Sequence, residues 1–213
     1  MSDAHGMKPA EIADQAIDVA VSPPVTIAQG YLPYERYDVA IIRGDETLRQ
    51  RRDVLRAKPV AAVLPVDLAR GTIVLLRQFR LPAHLATGQG DMVEIVAGRI
   101  DGDESAMGAA ARECREEIGV TPERLIALYR VLTTPGITDE HVTFFLGFID
   151  SSQVPLRGGL ADEHEDTRPF VVSIDEAIAG LDQGQVFNGL MVSALQWLAL
   201  HRGHLQDWYD RAG

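Results

Sequence analysis

The sequence contains a single cysteine, no long apolar run and no excess of positive charge. Because Cys114 is the only cysteine among 213 residues, no disulfide can form within the chain, which fits a reducing compartment. The longest apolar runs, such as VAAVLPV, are too short to span a bilayer. The opening stretch MSDAHGMKPAEIADQ is polar and lacks an apolar signal core. We therefore expect a cytoplasmic protein without a membrane partner.

The formal net charge of −11 at pH 7 argues against a nucleic-acid partner. A chain of this charge repels polyanions on average, and its sequence has no patch that combines basic and aromatic residues. Solubility alone can account for the overall charge. If the ligand is itself anionic, metal ions or a few well-placed arginines must offset the repulsion.

The order of strand-like and helix-like segments predicts an α+β protein. Segment 1–24 is expected to be flexible, 25–58 to form a small β subdomain, and 59–213 to form the main domain. The main domain has a final strand and two C-terminal helices, preceded by five strand-like runs at 60–67, 71–80, 90–100, 124–134 and 141–150. Strands and helices do not alternate strictly, which favours a mixed sheet covered by helices.

The stretch GRIDGDESAMGAAARECREEIGV, residues 98–120, carries an unusual concentration of acidic residues. Its central part, 104–118, is predicted to be a helix. Asp103 or Ser105 can cap the start of this helix, and Gly119 can end it. The question is what a helix gains from so many carboxylates.

Four apolar positions of this helix recur with the spacing of one face and are expected to pack on a core: Met107, Ala111, Cys114 and Ile118. Cys114 is then a small buried apolar residue and not a nucleophile. The other face carries Glu113, Glu116 and Glu117, whose carboxylates are neighbours at the i+3 and i+4 spacings. One interpretation is a solvated charged face. The other is a site for a hard divalent cation, which prefers carboxylate oxygens.

The spacing of the fixed residues resembles the signature of the Nudix hydrolases, G-x5-E-x7-R-E-U-x-E-E-x-G-U, in which U is aliphatic. Every charged and glycine position of the signature is present between Gly98 and Val120, and the one departure is Cys114 at an aliphatic position. The resemblance implies the Nudix fold, an α/β/α sandwich with this helix against a mixed β-sheet. It also implies hydrolysis of a nucleoside diphosphate linked to another group, with Mg²⁺ or Mn²⁺ as cofactor.

The resemblance implies roles for the residues of the signature. The metal-binding positions of the family correspond to Ala97, through its carbonyl, and to Glu113, Glu116 and Glu117. Glu117 is also counted among the catalytic residues. The structural positions correspond to Gly98, Glu104, Arg112 and Gly119, with Glu104 and Arg112 paired to brace the loop and the helix.

Outside the signature, the stretches VLLRQFR, VEIVAGRID, GGLADEHED and ALQWLALH are similar to the ADP-ribose pyrophosphatase subfamily, over roughly residues 28–203. The stretch GGLADEHED, residues 158–166, is called the acidic loop below. The similarity implies that Glu163 in this loop is the general base and Glu165 a further metal ligand; His164 is an alternative base. It implies substrate-binding roles for nine other residues: Tyr31, Arg52, Asp53, Arg80, Arg99, Thr134, Pro135, Gly136 and Glu140. Subunits of this subfamily exchange N-terminal strands, so a homodimer is expected.

The implied activity is hydrolysis of the pyrophosphate bond of ADP-ribose, or of related ADP-sugars, to AMP and ribose 5-phosphate. A GDP-mannose or other NDP-sugar diphosphatase is an open alternative. A non-catalytic nucleotide-sugar sensor is disfavoured, because the acids of the signature are intact. RNA decapping is disfavoured by the negative net charge.

Overall fold

The computed structural model describes residues 12–159 and 166–211. The chain divides between Arg56 and Ala57 into an N-terminal and a C-terminal unit, close to the boundary expected after residue 58. Across the described residues, no helix has the length and apolar character that crossing a bilayer requires. The two units are described separately below.

The N-terminal unit is an antiparallel sheet of four strands: β1 Asp18–Val21, β2 Val25–Gln29, β3 Pro33–Arg43 and β4 Glu46–Leu55. The long strand β3 pairs with β1 and β2 along one edge and with β4 along the other. Strand β1 lies inside segment 1–24, so the expectation of a flexible segment is wrong for Asp18–Val21. Its backbone pairs with residues 39–42 of β3, a partner that local sequence does not reveal.

This N-terminal sheet has no core of its own. None of residues 12–56 is buried, and apolar side chains such as Val21 and Val25 are more than half exposed. A sheet without a fully buried residue gains little from the hydrophobic effect and is only marginally stable alone. Exposed apolar side chains of this kind are typical of an interaction surface.

The C-terminal unit is built on seven strands: β5 Val60–Asp67, β6 Thr72–Phe79, β7 Asp91–Glu94, β8 Val96–Arg99, β9 Arg124–Leu132, β10 His141–Phe148 and β11 Arg168–Ser173. The main order is β11-β6-β5-β10-β9, and β5 pairs with β10 in parallel. Strands β5 and β6 pair with each other only at Val66–Asp67. Elsewhere β6 pairs with β7 and β5 with β8, so the single strand predicted over 90–100 is two strands with different partners.

Five helices accompany the described strands: α1 Leu81–Thr87, α2 Ala106–Ile118, α3 Ile174–Asp182, α4 Gly189–His201 and α5 Leu205–Arg211. Ser173 caps the start of helix α3 and forms a capping box with Glu176. Helix α1 was not predicted. The second of the two predicted C-terminal helices is interrupted by a 3-10 turn at Arg202–His204, which separates α4 from α5.

The sheet of the C-terminal unit has a hydrophobic core on each face. On one face Leu64 and Phe144 pack with Leu195 of α4. On the other face Val63 and Val74 pack with residues of α2. Each fully buried aliphatic side chain contributes about 1.5–3 kcal/mol, so both layers are strongly held. The mixed sheet between two helical layers confirms the predicted α/β/α sandwich, and it fixes α2 against β5 and β8.

Candidate active site

Helix α2 has the ends that its sequence predicts. Of the two candidate caps it is Ser105 whose hydroxyl accepts the backbone N–H of Gly108, at 3.0 Å. The helix ends at Gly119, which has φ of 69°, a conformation that favours glycine. Both ends are thus fixed, and with them the positions of the acidic residues along the axis.

The inner face of α2 differs from the predicted apolar stripe. Met107 is about half exposed, so its assignment to the core is wrong. The buried residues of the helix are Ala109, Ala110, Glu113, Cys114, Glu117 and Ile118. The core-facing side therefore includes two carboxylates, which an analysis based on apolar spacing alone cannot identify. Buried carboxylates are costly unless they are bonded, so their partners matter.

Cys114 lies in the middle of this buried face with no exposed surface. Burial, together with the charges of Glu117 and Glu113, raises the pKa of its thiol well above the ordinary value. The thiol is therefore neutral at physiological pH and does not act as a nucleophile. This agrees with the interpretation of Cys114 as a small apolar residue.

The two buried carboxylates lie over strand β8. Glu113 rests against Gly98 so closely that a β-carbon at position 98 would overlap its carboxylate. Glu117 accepts the backbone N–H of Ala97 at 3.0 Å. Glycine is therefore required at position 98, because only the absence of a side chain admits Glu113. The structure brings together four of the predicted site residues at this point.

Arg112 forms hydrogen bonds with three glutamates of the signature. Its Nη1 donates to Glu113 at 2.6 Å and to Glu116 at 2.8 Å, while its Nη2 donates to the carbonyl of Arg99 at 2.8 Å. Nη2 and Nε also contact Glu104, at 3.2 and 3.3 Å. Burial alone would lower the pKa of this guanidinium, but its hydrogen bonds to the three glutamates outweigh burial and raise the pKa. Arg112 thus ties the helix to the loop before it, as predicted.

The donors around α2 fit a hard divalent cation. Three carboxylates on one rigid helix supply only oxygen ligands, which Mg²⁺ and Mn²⁺ prefer. Within residues 12–159 and 166–211, no three acidic, histidine or cysteine side chains already converge as a metal cluster. Glu113 and Glu116 contact Arg112 instead, and Glu117 contacts the Ala97 N–H. The predicted base Glu163, the predicted ligand Glu165 and the alternative base His164 lie outside the described residues.

The two ends of the acidic loop are attached to the end of α2. The N–H of Gly159 donates to the carbonyl of Glu116 at 2.9 Å, and Gly158 pairs with Thr167 across the loop. Thr167 is fully buried, and its hydroxyl donates to the carbonyl of Glu117 at 3.4 Å. These contacts satisfy carbonyls that a helix leaves unpaired at its C-terminus. They also place the residues on either side of the loop next to the helix that carries the signature acids.

Arg80 follows β6 and is bound by a residue that the sequence did not single out. Its Nη2 donates to Glu94 at 2.7 Å, and its Nε contacts both carboxylate oxygens of Glu94, at 3.0 and 3.2 Å. Asn188 donates to the same carboxylate at 2.9 Å. Asn188 lies far from Glu94 in the sequence, so no local pattern could have revealed this cluster.

The turn between β9 and β10 contains four predicted substrate-binding residues. Thr134, Pro135 and Gly136 are exposed, and Glu140 is partly buried with its N–H bonded to Thr138. Val60 of β5 pairs with Val142 on one side and with Arg99 on the other. Two strand spacings, about 10 Å, therefore separate the start of β10 from Arg99. The turn lies at the same end of the sheet as Arg99.

The remaining predicted substrate residues belong to the N-terminal unit. Tyr31 lies between β2 and β3 with its side chain 85% exposed. Arg52 is exposed on β4 and bonds to the carbonyl of Arg51. Asp53 is engaged by Arg36 in a two-pronged ion pair with contacts of 2.6 and 2.7 Å. Their roles toward a substrate stay predictions.

Comparison with known proteins agrees with this geometry. The family model for the NUDIX domain matches residues 57–195. An ADP-ribose pyrophosphatase of Escherichia coli (strain K12) is 32% identical over 192 residues, which cover 89% of this chain and 92% of the relative. An ADP-ribose pyrophosphatase of Haemophilus influenzae is 28% identical over 200 residues, covering 92% of each chain. A GDP-mannose pyrophosphatase of Escherichia coli (strain UTI89 / UPEC) is 27% identical over 184 residues, covering 85% of this chain and 94% of the relative.

The acidic helix seated on a mixed sheet and the match over most of the C-terminal unit lead to one conclusion: this chain belongs to the NUDIX domain family. It is a Nudix hydrolase, and members of this family generally use divalent metal ions.

Proposed function

We propose that the chain hydrolyses the pyrophosphate bond of ADP-ribose, or of related ADP-sugars, with Mg²⁺ as cofactor and Mn²⁺ as a possible substitute. One observation supports the proposal most directly. Glu113 lies against Gly98 and is bonded to Arg112, and Glu117 accepts the N–H of Ala97. The relatives named as ADP-ribose pyrophosphatases support the choice of substrate. In the reaction, a water oxygen bonds to one phosphorus, the bond from the bridging oxygen to that phosphorus breaks, and AMP and ribose 5-phosphate leave.

The chemistry requires compensation of negative charge, because a diphosphate repels an attacking hydroxide. A bound divalent cation neutralises the phosphates and lowers the pKa of water. The residues that would hold it are Glu113, Glu116, Glu117, Glu165 and, through its carbonyl, Ala97. Arg112 keeps Glu113 and Glu116 together on the helix, and the end of α2 anchors both sides of the acidic loop.

Glu163 is proposed as the general base that takes the proton from the attacking water. His164 is the alternative base in the same loop. The two assignments separate cleanly by substitution, since Glu163→Gln removes a carboxylate and His164→Ala removes an imidazole. We expect Glu163→Gln to lower kcat by at least about 10-fold and His164→Ala to leave it nearly unchanged.

Arg80 is proposed to contact the diphosphate. Its side chain is about half exposed, and a guanidinium matches phosphate oxygens in pairs. Arg99 and the turn of Thr134, Pro135, Gly136 and Glu140 share one end of the sheet, which supports a role for them around the sugar. Tyr31, Arg52 and Asp53 are proposed to contact the adenine, with Tyr31 stacking on the base.

We also propose a homodimer that exchanges N-terminal strands, in a cytoplasmic enzyme. The support is the sheet of residues 12–56, in which no residue is fully buried and whose exposed apolar side chains a second copy of the chain would bury. Light scattering coupled to size exclusion tests the dimer. A monomer at micromolar concentration would rule it out.

A GDP-mannose diphosphatase is the second candidate, because a relative with that name matches 85% of the chain. The test is hydrolysis of ADP-ribose, ADP-glucose, GDP-mannose and NADH, each with Mg²⁺ and with EDTA, followed by product analysis. We expect ADP-ribose to have the highest kcat/KM and to yield AMP only with the metal. If GDP-mannose has the highest kcat/KM instead, the proposed metal site is unaffected, but the pocket assignments at Tyr31 and Glu140 are wrong.

A further inference from the structure

Glu94 ends strand β7 three positions before Ala97, and its side chain is only 9% exposed. Three contacts of 2.7–3.2 Å join its carboxylate to the Nε and Nη2 of Arg80. This side-on arrangement presents one edge of the guanidinium to both carboxylate oxygens, which is the strongest geometry for an arginine–carboxylate pair. The position of Glu94 therefore determines the plane in which the Arg80 guanidinium lies.

Glu94 is in turn held from the side of α4. The amide of Asn188 donates to Glu94 through Nδ2 at 2.9 Å. The other end of the same amide, Oδ1, accepts the backbone N–H groups of Leu190 and Met191 at 2.9 and 3.1 Å and so caps helix α4. Because both ends of the amide are bonded, Asn188 cannot rotate without losing the cap. The helix itself is anchored in the core by Leu195, which has no exposed surface.

Arg80 is also fixed through its backbone, since its N–H donates to the carbonyl of Gly90 at 2.8 Å. Its side chain is nevertheless 46% exposed. An arginine in this state is anchored along one edge while its head still reaches solvent. Binding of an anion then costs little side-chain entropy, because the rotamer is already fixed.

Glu94 and the backbone that contacts Glu113 and Glu117 lie on one short stretch of chain. Strands β7 and β8 follow each other, with Glu94 opposite Leu76 of β6 and Ala97 opposite Ala62 of β5. The N–H of Ala97 bonds to Glu117. Glu94, which contacts Arg80, thus lies only three positions along the chain from Ala97, which contacts Glu117 of α2.

We propose that Glu94 is a positioning residue for catalysis: it orients Arg80 toward the diphosphate of the substrate, and Asn188 holds Glu94 in place. The inference rests on the proposed function, in which Arg80 contacts the phosphates. Glu94 itself does not touch the substrate. Its effect passes through the guanidinium, and it therefore shows in substrate affinity more than in turnover.

The test is a double-mutant cycle with ADP-ribose and Mg²⁺, in which kcat and KM are measured for wild type, Glu94→Gln, Arg80→Gln and the double variant. Glu94→Gln keeps the shape of the side chain and removes its charge. We expect it to raise KM by about 10-fold while kcat stays within about threefold. In the Arg80→Gln background the same change should raise KM by less than about twofold, because the group that it positions is gone.

Two further variants separate positioning from folding. Asn188→Ser keeps a good helix cap but removes the amide that donates to Glu94, so we expect a smaller rise in KM at an almost unchanged Tm. Asp91→Asn changes an exposed acid on the same strand, which pairs with Arg168 and Arg77 away from the cluster. It should leave KM and kcat at their wild-type values.

The outcomes distinguish the two levels of the proposal. Wild-type KM in Glu94→Gln together with a raised KM in Arg80→Gln overturns the role of Glu94 alone. Wild-type KM in Arg80→Gln removes the phosphate assignment of Arg80 and the role of Glu94 with it. An equal rise in KM in both backgrounds, or a lower Tm without a change in KM, shows that Glu94 acts on the fold and not through Arg80.

Discussion

The carboxylate of Glu113 occupies the space that a side chain at position 98 would need. Gly98 lies in β8, where its neighbours in β5 hold the backbone, and Glu113 projects onto it from α2. The glycine of the signature is therefore required by the packing of a functional side chain, and not by its own backbone angles, which are not in the left-handed region.

Gly98→Ala should lower activity strongly while it lowers stability only slightly. The atoms that an added methyl group would meet are the far end of a flexible side chain, so Glu113 can move away at a cost of about 1 kcal/mol, the low end for an added methyl group. We expect kcat/KM to fall by at least about 30-fold, because the displaced carboxylate no longer lies over β8. Thermal unfolding and steady-state kinetics measure both effects. Gly203→Ala, where an added β-carbon meets nothing within 4 Å, is the control and should change neither.

Gly158→Ala, in contrast, is expected to act mainly on stability. An added β-carbon there would overlap the carbonyl oxygen of Glu117 and approach its carbonyl carbon to 2.6 Å. Backbone at the end of α2 cannot move aside as a side chain can, so the free energy of unfolding should fall by about 1–3 kcal/mol. Urea titration monitored by circular dichroism measures this. A stability equal to wild type would show that the loop is not attached to α2 as described.

Glu117→Gln should lower kcat by at least about 100-fold without unfolding the protein. The amide has nearly the same shape, and its oxygen can still accept the N–H of Ala97, so the buried site stays filled. What is lost is the charge that binds a cation. Glu123→Gln, which changes an exposed acid just beyond the helix, is the matched control. Turnover close to wild type in a folded Glu117→Gln protein would contradict the metal assignment.

Cys114 should resist thiol reagents in the folded protein. Its side chain has no exposed surface, and burial with the nearby charges of Glu117 and Glu113 raises the pKa of the thiol, so less thiolate is present at pH 8 than for an ordinary cysteine. We expect no reaction with Ellman's reagent in native buffer and the release of one equivalent in guanidinium chloride. Rapid labelling of the native protein would show that α2 detaches from the sheet.

The acidic helix was predictable because its signals are local. A serine before it, a glycine after it and a fixed spacing of acids lie within one short stretch. The rotation of the helix was not predictable in the same way. Apolar spacing predicts Met107 in the core, yet Glu113 and Glu117 face inward instead, because they contact Gly98 and Ala97 on the preceding strand β8, which apolar spacing does not take into account.

Long-range pairing accounts for the other differences, except for helix α1, whose signals are local. Helix α1 has a proline at its start and Gly88 with φ of 75° at its end, so the sequence contained its signals. Strand β1, by contrast, is defined by its pairing with β3, and the division between β7 and β8 by their separate partners. Glu94 and Asn188 become neighbours only when the sheet and α4 are assembled, which no periodicity encodes.

Strands β5 and β10 are about 80 residues apart in the chain, yet they pair in parallel from Val60 to Val66. Closing so long a loop costs entropy before its contacts repay it, so we expect this pairing to form late in folding. Helix α2 packs in one core with Phe145 of β10 and Val63 of β5. On this expectation, the carboxylates of the helix reach their places only after the central strands have joined. During refolding, helical signal should return first and hydrolysis last, and no partly assembled chain should expose a working site.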